Sequence, residues 1–520
     1  MLIRLKDTRA TAIQDARVSW GFRSLPQIAH TPVFLAALLL ASAAGAQAPA
    51  PPRPLSADDA SAIAAALAEA PAQGLPSADV GAAVTALATG DPAVRPLAEA
   101  TLAAAAVTLA AEEHGLIADP RSVDKDFHLR ADYDAAADFQ AARAGGRIPA
   151  WAAALAPAEP LYGELVKARA LYARIVAAGG WAQIPAGPSL KAGASDPRAP
   201  LLRARLAAEG YDIPPPPAPP PPQPPAAANA VQPSNAGRAP ETTASPAPDP
   251  NRYDAGLASA LAAFQTRHEL PATGVLDEAT TAALDAPAQA RLGQIDANLE
   301  RERWLPREAP QDRVEVDIAG PTATLFRGGV PTLGMRAIVG KPSTHTPSFI
   351  SEINAIVFNP PWVVPTSIAA KELYPKERRS PGYFAREGIE VVNGQLVQRP
   401  GPKAALGYLK FDMPDPYGVY LHDTPARTLF ARNGRWLSHG CMRLQAPREL
   451  AAALLAPQGW NPAAIDAAIA AKTTRRVELR AHMPVFVVYR TVVADADGRA
   501  VFRADPYGWD AELEAALAAR

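Results

Sequence analysis

A proline-rich stretch constrains the folding of this chain more than any other feature of its sequence. Of the 37 residues from Pro214 to Pro250, 15 are proline, and no apolar periodicity runs through them. Such a segment has few backbone donors and no apolar face to bury, which favours a semi-extended, polyproline-like conformation. We therefore predict a linker over 213–250 with separately folded domains on either side. The length of 520 residues agrees, since chains of this size hold about three domains.

The overall composition excludes several classes of function. The chain has 51 Lys and Arg residues against 52 Asp and Glu residues, so it has no global basic field with which to bind nucleic acid. Hydrophobic residues make up 48% of the chain, which is enough for folded cores outside the linker. Cys441 is the single cysteine, which excludes an intramolecular disulfide and any multi-cysteine metal site. No other residues resemble a ligand set, so we expect neither a metal nor a cofactor.

The N-terminal region has the order of features found in a secretory signal. Five basic residues lie among the first 31 residues: Arg4, Lys6, Arg9, Arg17 and Arg23. An apolar run at 33–41 and the small residues Ala44-Gly45-Ala46 follow. The run is shorter than the roughly 20 apolar residues that span a bilayer. We therefore predict a signal peptide over 1–46 that is cleaved near Ala46, and an uncleaved segment would anchor the protein in the membrane.

The rest of the chain predicts a multidomain α+β protein. Residues 55–212 are rich in alanine with recurring apolar positions, which predicts a helical domain. Residues 251–287 resume helical patterning, with Asp277 at a predicted N-cap. Residues 311–505 change to strands, because polar and apolar residues alternate over 313–318 and Gly328-Gly329 marks a hairpin.

The single cysteine lies in a motif that suggests chemistry. The motif is Ser438-His439-Gly440-Cys441-Met442-Arg443, and His422 precedes it. A free cysteine is often a buried, inert residue, but an exported protein that keeps one unpaired thiol beside two histidines favours a nucleophile. Gly440 would let the backbone turn tightly and present N–H groups to a carbonyl oxygen, which implies acyl transfer. Spacing alone does not decide whether His422 or His439 is the base.

These residues also carry a resemblance. His422, followed after 15 residues by Ser-His-Gly-Cys-x-Arg, resembles the signature of the L,D-transpeptidase catalytic domain family, the cysteine transpeptidases of peptidoglycan. Other segments are similar to the large Gram-negative members: 298–301, 303–306, 339–342, 358–362 and 400–402. The segment 253–284 resembles the three-helix peptidoglycan-binding module of these enzymes, and 179–198 resembles their scaffold region.

The resemblance implies a role for each residue of the motif. Cys441 matches the nucleophile that forms a thioester, and His422 matches the base. His439 and Gly440 match positions that shape the nucleophile turn and the oxyanion site. Arg443 matches a position that orients a substrate carboxylate or the local loop, although a guanidinium also suits a structural ion pair.

Side chains alternate between the two faces of a strand, and this alternation distinguishes two residues near His422. Tyr420 shares the face of His422, so it either lines the cleft as a substrate-binding residue or packs in the core. Asp423 points to the opposite face, and in the family a backbone carbonyl usually orients the histidine. We therefore leave Asp423 out of the catalytic set.

A long insertion at 366–409 is a predicted cap. It holds charged and aromatic residues inside an otherwise compact domain, and insertions of this kind are often lids. The corresponding insertion in large family members caps the substrate cleft, so we predict a mobile cap. A static excursion packed on the sheet is the alternative.

The resemblance implies an L,D-transpeptidase in the periplasm of a Gram-negative envelope. It would take a peptidoglycan tetrapeptide stem as donor, release D-Ala and cross-link one diaminopimelate to another, without a metal or cofactor. Its partners would be peptidoglycan and other cell-wall synthesis enzymes, not nucleic acid, and carbapenem-type β-lactams should acylate Cys441. An L,D-carboxypeptidase, an enzyme that anchors or releases lipoproteins, a cysteine peptidase acting on proteins and a non-catalytic peptidoglycan-binding protein are the alternatives. The sequence does not indicate the oligomeric state.

Overall fold

The computed structural model describes residues 52–129, 132–214 and 249–519. The predicted signal peptide at 1–46 and almost all of the predicted linker at 213–250 lie outside these residues. Within the described ranges, no helix is both long enough and apolar enough to cross a membrane.

The first described part is helical, as the alanine-rich pattern predicts. Its elements are α1 (Ala57–Glu69), α2 (Gly81–Thr89), α3 (Arg95–Glu113), α4 (Pro120–Val123), β1 (Phe127–His128), α5 (Ala135–Ala144), α6 (Ile148–Ala153) and α7 (Pro160–Ala177). Ser56 begins α1 with a capping box, since its side chain accepts from the Asp59 N–H and the Asp59 side chain accepts from the Ser56 N–H. The apolar faces of α1, α2, α3, α5 and α6 form one core.

A second helical unit takes its core from both sides of the proline-rich segment. Helix α8 (Arg198–Ala208) precedes the segment, and helices α9 (Ala255–Arg267) and α10 (Glu278–Leu284) follow it. Apolar side chains of the three helices pack in one cluster. Asp277 is the N-cap of α10, which confirms that prediction. Within 251–287 the structure has only two helices, so a three-helix module in that range is not confirmed.

Helix α11 (Ala288–Arg303) joins the helical parts to the sheet. It packs on α7 and on the last helix, α17 (Trp509–Ala518). Its C-terminal turn buries four charged residues, Glu300, Arg301, Glu302 and Arg303. Buried charges need partners, and the ion pairs of this turn therefore tie α11 to the elements around it.

The remaining part is dominated by one sheet. Its strands are β2 (Arg313–Asp317), β3 (Thr322–Arg327), β4 (Val330–Gly340), β5 (Ser348–Phe358), β9 (Leu409–Asp412), β10 (Leu421–His422), β11 (Trp436–Ser438), β12 (Met442–Leu444) and β13 (Arg475–Val488), joined by β1. The order is β1-β5-β13-β2-β3-β4-β12-β10-β9, and β9 also pairs with β5, which closes the sheet on itself. Strand β11 pairs with β4. The predicted strand at 313–318 and the hairpin at Gly328-Gly329 are confirmed, since Arg327 pairs with Val330.

The insertion at 366–409 forms a small substructure with its own core. It contains α12 (Thr366–Ile368), a π-helical turn (Ala369–Leu373), α13 (Tyr374–Arg379), α14 (Tyr383–Arg386), β7 (Ile389–Val392) and β8 (Gln395–Gln398). Strand β6 (Trp362–Val363), just ahead of it, pairs with β8. Five buried apolar residues form its core: Val364, Ala369, Leu373, Ile389 and Leu396. We call residues 362–409 the cap below.

The C-terminal elements complete the sheet domain. Helices α15 (Pro447–Leu455) and α16 (Pro462–Ala470) precede β13, and the hairpin of β14 (Val492–Ala494) and β15 (Ala500–Phe502) precedes α17. The main core of the molecule fills the closed sheet and includes Phe127 and Trp304, which come from the preceding helical parts. The sheet domain thus shares its core with the chain that leads into it.

Candidate active site

Five of the six predicted site residues line one cavity of about 680 Å³ between the sheet and the cap. The sheet side contributes Tyr420, His422, His439, Cys441 and Arg443. The cap contributes residues from its strands and helices: Trp362, Glu372, Leu373, Lys376, Glu387 and Lys403 among others. The parallel pairing of β10 with β12 sets His422 opposite Arg443, which brings together two residues that are 21 positions apart.

The nucleophile turn is held by two buried hydroxyl groups. Ser438 Oγ accepts from the Gly440 N–H at 3.1 Å and donates to the carbonyl oxygen of Cys441 at 2.6 Å. Thr346 Oγ1 donates to the carbonyl oxygen of Gly440 at 2.7 Å and accepts from the Gly340 N–H at 2.8 Å. Because both hydroxyls are fully engaged, the position of the turn is fixed from two directions.

Gly440 has a φ of +121°, a conformation that side chains disfavour. This agrees with the tight turn expected at that position, although Gly440 itself does not line the cavity. Its N–H is already donated to Ser438 Oγ. In the described part of the chain no hydrogen bond occupies the N–H of Cys441, so the amide open to a substrate oxygen is that of Cys441 rather than Gly440.

Cys441 is a half-buried free thiol. Desolvation raises its pKa, and hydrogen bonds from Tyr420 and the positive charge of Arg443 offset this only in part. The Sγ atom lies 4.0 Å from the carbonyl oxygen of Gly418. The resting residue is therefore a protonated thiol at neutral pH, and it needs a base when it attacks.

His422 is only 4% exposed and is neutral. Burial, followed by the charge of Arg443, lowers its pKa to about 3. Its Nδ1 lies 2.5 Å from the carbonyl oxygen of Asp423, and since a carbonyl only accepts, Nδ1 carries the proton. Nε2 is then the basic nitrogen. Among the described residues His422 makes no hydrogen bond to Cys441, so its role as base stays a prediction.

Tyr420 and Arg443 flank the thiol. The Tyr420 hydroxyl is within hydrogen-bonding reach of Cys441 and of Trp362, and burial raises its pKa above the usual range. Burial lowers the pKa of Arg443, and the negative charge of a Cys441 thiolate would raise it. Arg443 Nε is buried without a hydrogen-bond partner within the ranges that the structure describes. Arg443 lines the cavity beside the thiol, and its substrate-orienting role stays a prediction.

The structure adds one residue that sequence reasoning left out of the site. Glu372, in the π-helical turn of the cap, has its Oε1 atom 2.5 Å from Nε2 of His439. The two residues are 67 positions apart. No sequence motif has this spacing, and the charged residues of the insertion were the only indication in the sequence.

Asp423 lies outside the site cavity. Its carboxylate accepts from the Tyr408 N–H at 2.9 Å and pairs with Arg427. It lines a separate cavity of about 250 Å³. Only its backbone carbonyl serves His422, which agrees with leaving its side chain out of the catalytic set.

One cluster among the described residues has side chains of the kind that bind metals. Asp124, Asp126 and His345 have potential ligand atoms within 4.8 Å of one another. The cluster is half-buried, and Asp126 already pairs with His345 at 3.2 Å. Carboxylates and an imidazole commonly approach this closely without an ion, so the cluster does not define a metal site.

Three segments of the chain match known families. Residues 311–478 match the family described as "L,D-transpeptidase catalytic domain". Residues 241–284 match a "Putative peptidoglycan binding domain", and residues 55–168 match a "Scaffold domain". Our domain boundaries at 55–212, 251–287 and 311–505 stay predictions.

A curated protein of Haemophilus influenzae with the name "Putative L,D-transpeptidase" is 31% identical over 243 residues. The similarity covers 43% of this chain and 49% of that protein, so the chain spans about half the length of the curated relative it matches.

Solved structures of L,D-transpeptidases also align with parts of the chain. One from Mycobacterium smegmatis is 18% identical, covers 34% of this chain and 58% of that chain, and has a TM-score of 0.19. One from Xylanimonas cellulosilytica is 15% identical, covers 58% of this chain and 98% of that chain, and has a TM-score of 0.17. Scores this low carry no argument about fold or function. The family matches and the curated relative are the informative comparisons. They show that the chain carries an L,D-transpeptidase catalytic domain, preceded by a peptidoglycan-binding domain and a scaffold domain.

Proposed function

We propose that this protein is a periplasmic L,D-transpeptidase that acts on the tetrapeptide stems of peptidoglycan. Cys441 attacks the carbonyl carbon of the bond that follows diaminopimelate, forms a thioester and releases D-Ala. The acyl group then passes to the side-chain amine of a second diaminopimelate, which cross-links the two stems. The observation that carries the proposal is the cavity under the cap, which holds a thiol, a neutral imidazole and an unpaired guanidinium nitrogen together.

The charge states of the site require proton transfer during the attack. The raised pKa of Cys441 and the lowered pKa of His422 keep both groups neutral in the resting enzyme. His422 Nε2 therefore takes the thiol proton as the S–C bond forms and returns it to the nitrogen of the leaving D-Ala. Since the imidazolium is destabilised by burial and by Arg443, it has a strong tendency to give the proton back.

Three groups can stabilise the substrate during this step. The free N–H of Cys441 and the Tyr420 hydroxyl are donors for the negative charge that develops on the carbonyl oxygen. The guanidinium of Arg443, which lines the cavity, is a donor for a carboxylate of the stem peptide. Peptidoglycan is the partner that these features and the peptidoglycan-binding match support, and residues 1–46 would direct export.

The first test is mass spectrometry of the mature protein incubated with a disaccharide-tetrapeptide, beside its Cys441→Ala variant. Circular dichroism should show that the variant is folded. We expect only the wild-type protein to form cross-linked dimers that have lost D-Ala. When incubated with a carbapenem, the wild-type protein should form a covalent adduct on Cys441, and the Cys441→Ala variant should form none.

The products also separate the alternatives. Tripeptide monomers without dimers would mean an L,D-carboxypeptidase. No product and no adduct with either protein would reject an enzyme and leave a peptidoglycan-binding protein. Cleavage of protein substrates in preference to muropeptides would mean an ordinary cysteine peptidase.

A further inference from the structure

We propose that Glu372 of the cap is a positioning residue that orients His439 to take a proton from the amine acceptor. This inference rests on the proposed function, because it concerns the second half of that reaction. It assigns the acceptor side of the site to the pair of Glu372 and His439, and it makes the cap part of the machinery that selects an amine over water.

The geometry of the pair defines which nitrogen of His439 is free. Glu372 Oε1 lies 2.5 Å from His439 Nε2, and a carboxylate accepts hydrogen bonds. Nε2 therefore carries the proton, and Nδ1 holds the lone pair. In the described part of the chain, no hydrogen bond to Nδ1 of His439 is present. Nδ1 is thus open to a group that enters the cavity.

The two histidines of the cavity have opposite tautomers. His422 donates from Nδ1 to the Asp423 carbonyl and is basic at Nε2, whereas His439 donates from Nε2 to Glu372 and is basic at Nδ1. A backbone carbonyl carries no charge, but a carboxylate stabilises the imidazolium that forms when its partner accepts a proton. An imidazolium at His439 would therefore be paired with a carboxylate, whereas one at His422 would not.

Exposure separates the two histidines in the same way. The side chains of His439 and Glu372 are 33% and 37% exposed, whereas His422 is 4% exposed. An acceptor amine arrives from solvent as an ammonium ion, and it meets the exposed pair first. The other charged residues that line the cavity are Lys376, Glu387, Lys403 and Arg443, and Glu387 is paired with Lys403. Glu372 is thus the carboxylate in the cavity that faces the nucleophile turn.

The local structure of the cap supports a functional position for Glu372. The residue lies in a π-helical turn, Ala369–Leu373, and π-helical turns are frequent at functional sites. Ala369 and Leu373 at the two ends of this turn are buried in the core of the cap, which fixes the glutamate between them. The carboxylate therefore reaches His439 only when the cap is seated on the sheet.

The acceptor nitrogen loses two protons in the second half-reaction. The ammonium ion transfers one proton to His439 Nδ1, and the imidazolium remains paired with the Glu372 carboxylate. The neutral amine attacks the thioester carbonyl, a C–N bond forms and the C–S bond breaks. The second proton leaves the nitrogen for the Cys441 thiolate through His422, which restores the thiol, and His439 releases its proton to solvent.

The test compares Glu372→Gln with Glu390→Gln, a matched change of another glutamate of the cap that lies outside the cavity and pairs with Arg399. Two readouts are measured on each full-length protein. The first is the rate of carbapenem adduct formation on Cys441, which needs no acceptor. The second is the rate of dimer formation against acceptor concentration, with an isotope-labelled tripeptide as acceptor.

We expect Glu372→Gln to form the adduct within about twofold of the wild-type rate, because acylation does not use the acceptor. Dimer formation should fall by about 100-fold, as loss of general-base assistance predicts, with a rise in acceptor KM and a larger share of hydrolysed tripeptide. Glu372→Asp should recover part of the transfer rate. Glu390→Gln should behave as the wild-type protein does.

Other results would overturn the assignment. An equal loss of adduct formation and dimer formation would mean that Glu372 only holds the cap in place. Unchanged dimer formation in Glu372→Gln beside active wild-type protein would remove Glu372 from the reaction and leave the proposed function intact. Wild-type protein that forms the adduct but no dimers would reject the proposed function, and this inference with it.

Discussion

At the scale of single residues, the two groups that are proposed to react, a thiol and an imidazole, are both neutral in the resting protein. A buried imidazole and a desolvated thiol both resist ionisation, and the imidazole is held by a backbone carbonyl rather than by a third side chain. The stability of the fold therefore depends on pH through the same group that is proposed to act as base.

His422 should make the protein less stable in acid. Its pKa is about 3 in the folded protein and about 6.5 in an unfolded chain. Below pH 6.5 the unfolded chain binds a proton that the folded chain does not, so the stabilisation present above pH 6.5 is lost as the pH falls. Between pH 6.5 and pH 5 this loss is about 2 kcal/mol.

Calorimetry at the two pH values measures the effect. We expect the Tm of His422→Asn to fall less between them than the Tm of the wild-type protein. The exposed His482 is the matched control, and His482→Asn should follow the wild-type protein. Equal acid sensitivity of all three proteins would contradict the assignment of a buried neutral His422.

Thr346→Val should impair catalysis without removing any reacting group. The change keeps the shape of the side chain but leaves the Gly340 N–H without its acceptor and frees the carbonyl of Gly440. An unsatisfied buried donor costs about 1–3 kcal/mol, and the nucleophile turn loses one of its two supports.

We expect a lower Tm and a rate of carbapenem acylation reduced by about tenfold, since that factor corresponds to about 1.4 kcal/mol in the barrier. Thr332→Val is the control, because the Thr332 hydroxyl lies on a strand away from the site. Acylation at the wild-type rate would show that Ser438 alone is enough to hold the turn.

At the scale of elements, the cap behaves as a small folded piece. Its core of five apolar residues is separate from the main core, and its three-stranded sheet is separate from the large one. Few buried contacts of this kind give a low free energy of local opening. The predicted mobility of the cap can therefore be measured as the rate of amide hydrogen exchange.

Amide hydrogen exchange should be faster in the cap than in strands β2 to β4. Leu396→Ala should increase exchange across the cap, because Leu396 is 2% exposed in the cap core and its truncation costs about 2–5 kcal/mol. Exchange in β2 to β4 should not change. The control is Val392→Ala on the exposed edge of the cap. Equal protection of cap and sheet would favour the static alternative.

The sequence predicted elements that depend on local patterns and missed contacts that depend on distant ones. Strand β2, the hairpin at Gly328-Gly329 and the N-cap at Asp277 are confirmed because alternation, turn glycines and capping residues act over a few positions. The motif around Cys441 and the preceding His422 and Tyr420 also predicted five residues that line one cavity. Glu372 was not predicted as a site residue, because only the folded cap brings it to His439. The contribution of α8 to the second helical unit was missed for the same reason, since the proline-rich segment separates it from α9 in sequence.

At the scale of the whole molecule, helix α11 connects the helical parts to the catalytic sheet. Arg303, near its end, is 3% exposed and contacts the Tyr162 hydroxyl at 2.9 Å and Glu300 at 3.1 Å. Glu113 of α3 lies 3.8 Å from the same guanidinium. One buried arginine thus joins α11 to two other helices, α3 and α7, and its charge offsets two carboxylates.

Arg303→Met should destabilise the protein by about 3–5 kcal/mol, because it removes the buried cation that pairs with Glu113 and Glu300. Calorimetry should show a lower Tm and a separation of the unfolding of the helical part from that of the sheet. Arg448→Met is the control, since its pair with Asp466 is exposed and is expected to contribute less than about 1 kcal/mol. A single unshifted transition in Arg303→Met would show that apolar packing alone couples the parts.

The chain on either side of the proline-rich segment returns to the same place. The Ser195 hydroxyl donates to the Asp249 carboxylate at 2.9 Å, and the Tyr253 N–H donates to the Ala194 carbonyl at 2.9 Å. The number of residues between Pro214 and Asp249 therefore does not set the reach from one domain to the next. Closing a loop costs only about 0.6 kcal/mol for each doubling of its length. The segment between Pro214 and Asp249 should therefore accept a genetically inserted reporter, such as a fluorescent protein, without moving the catalytic cavity.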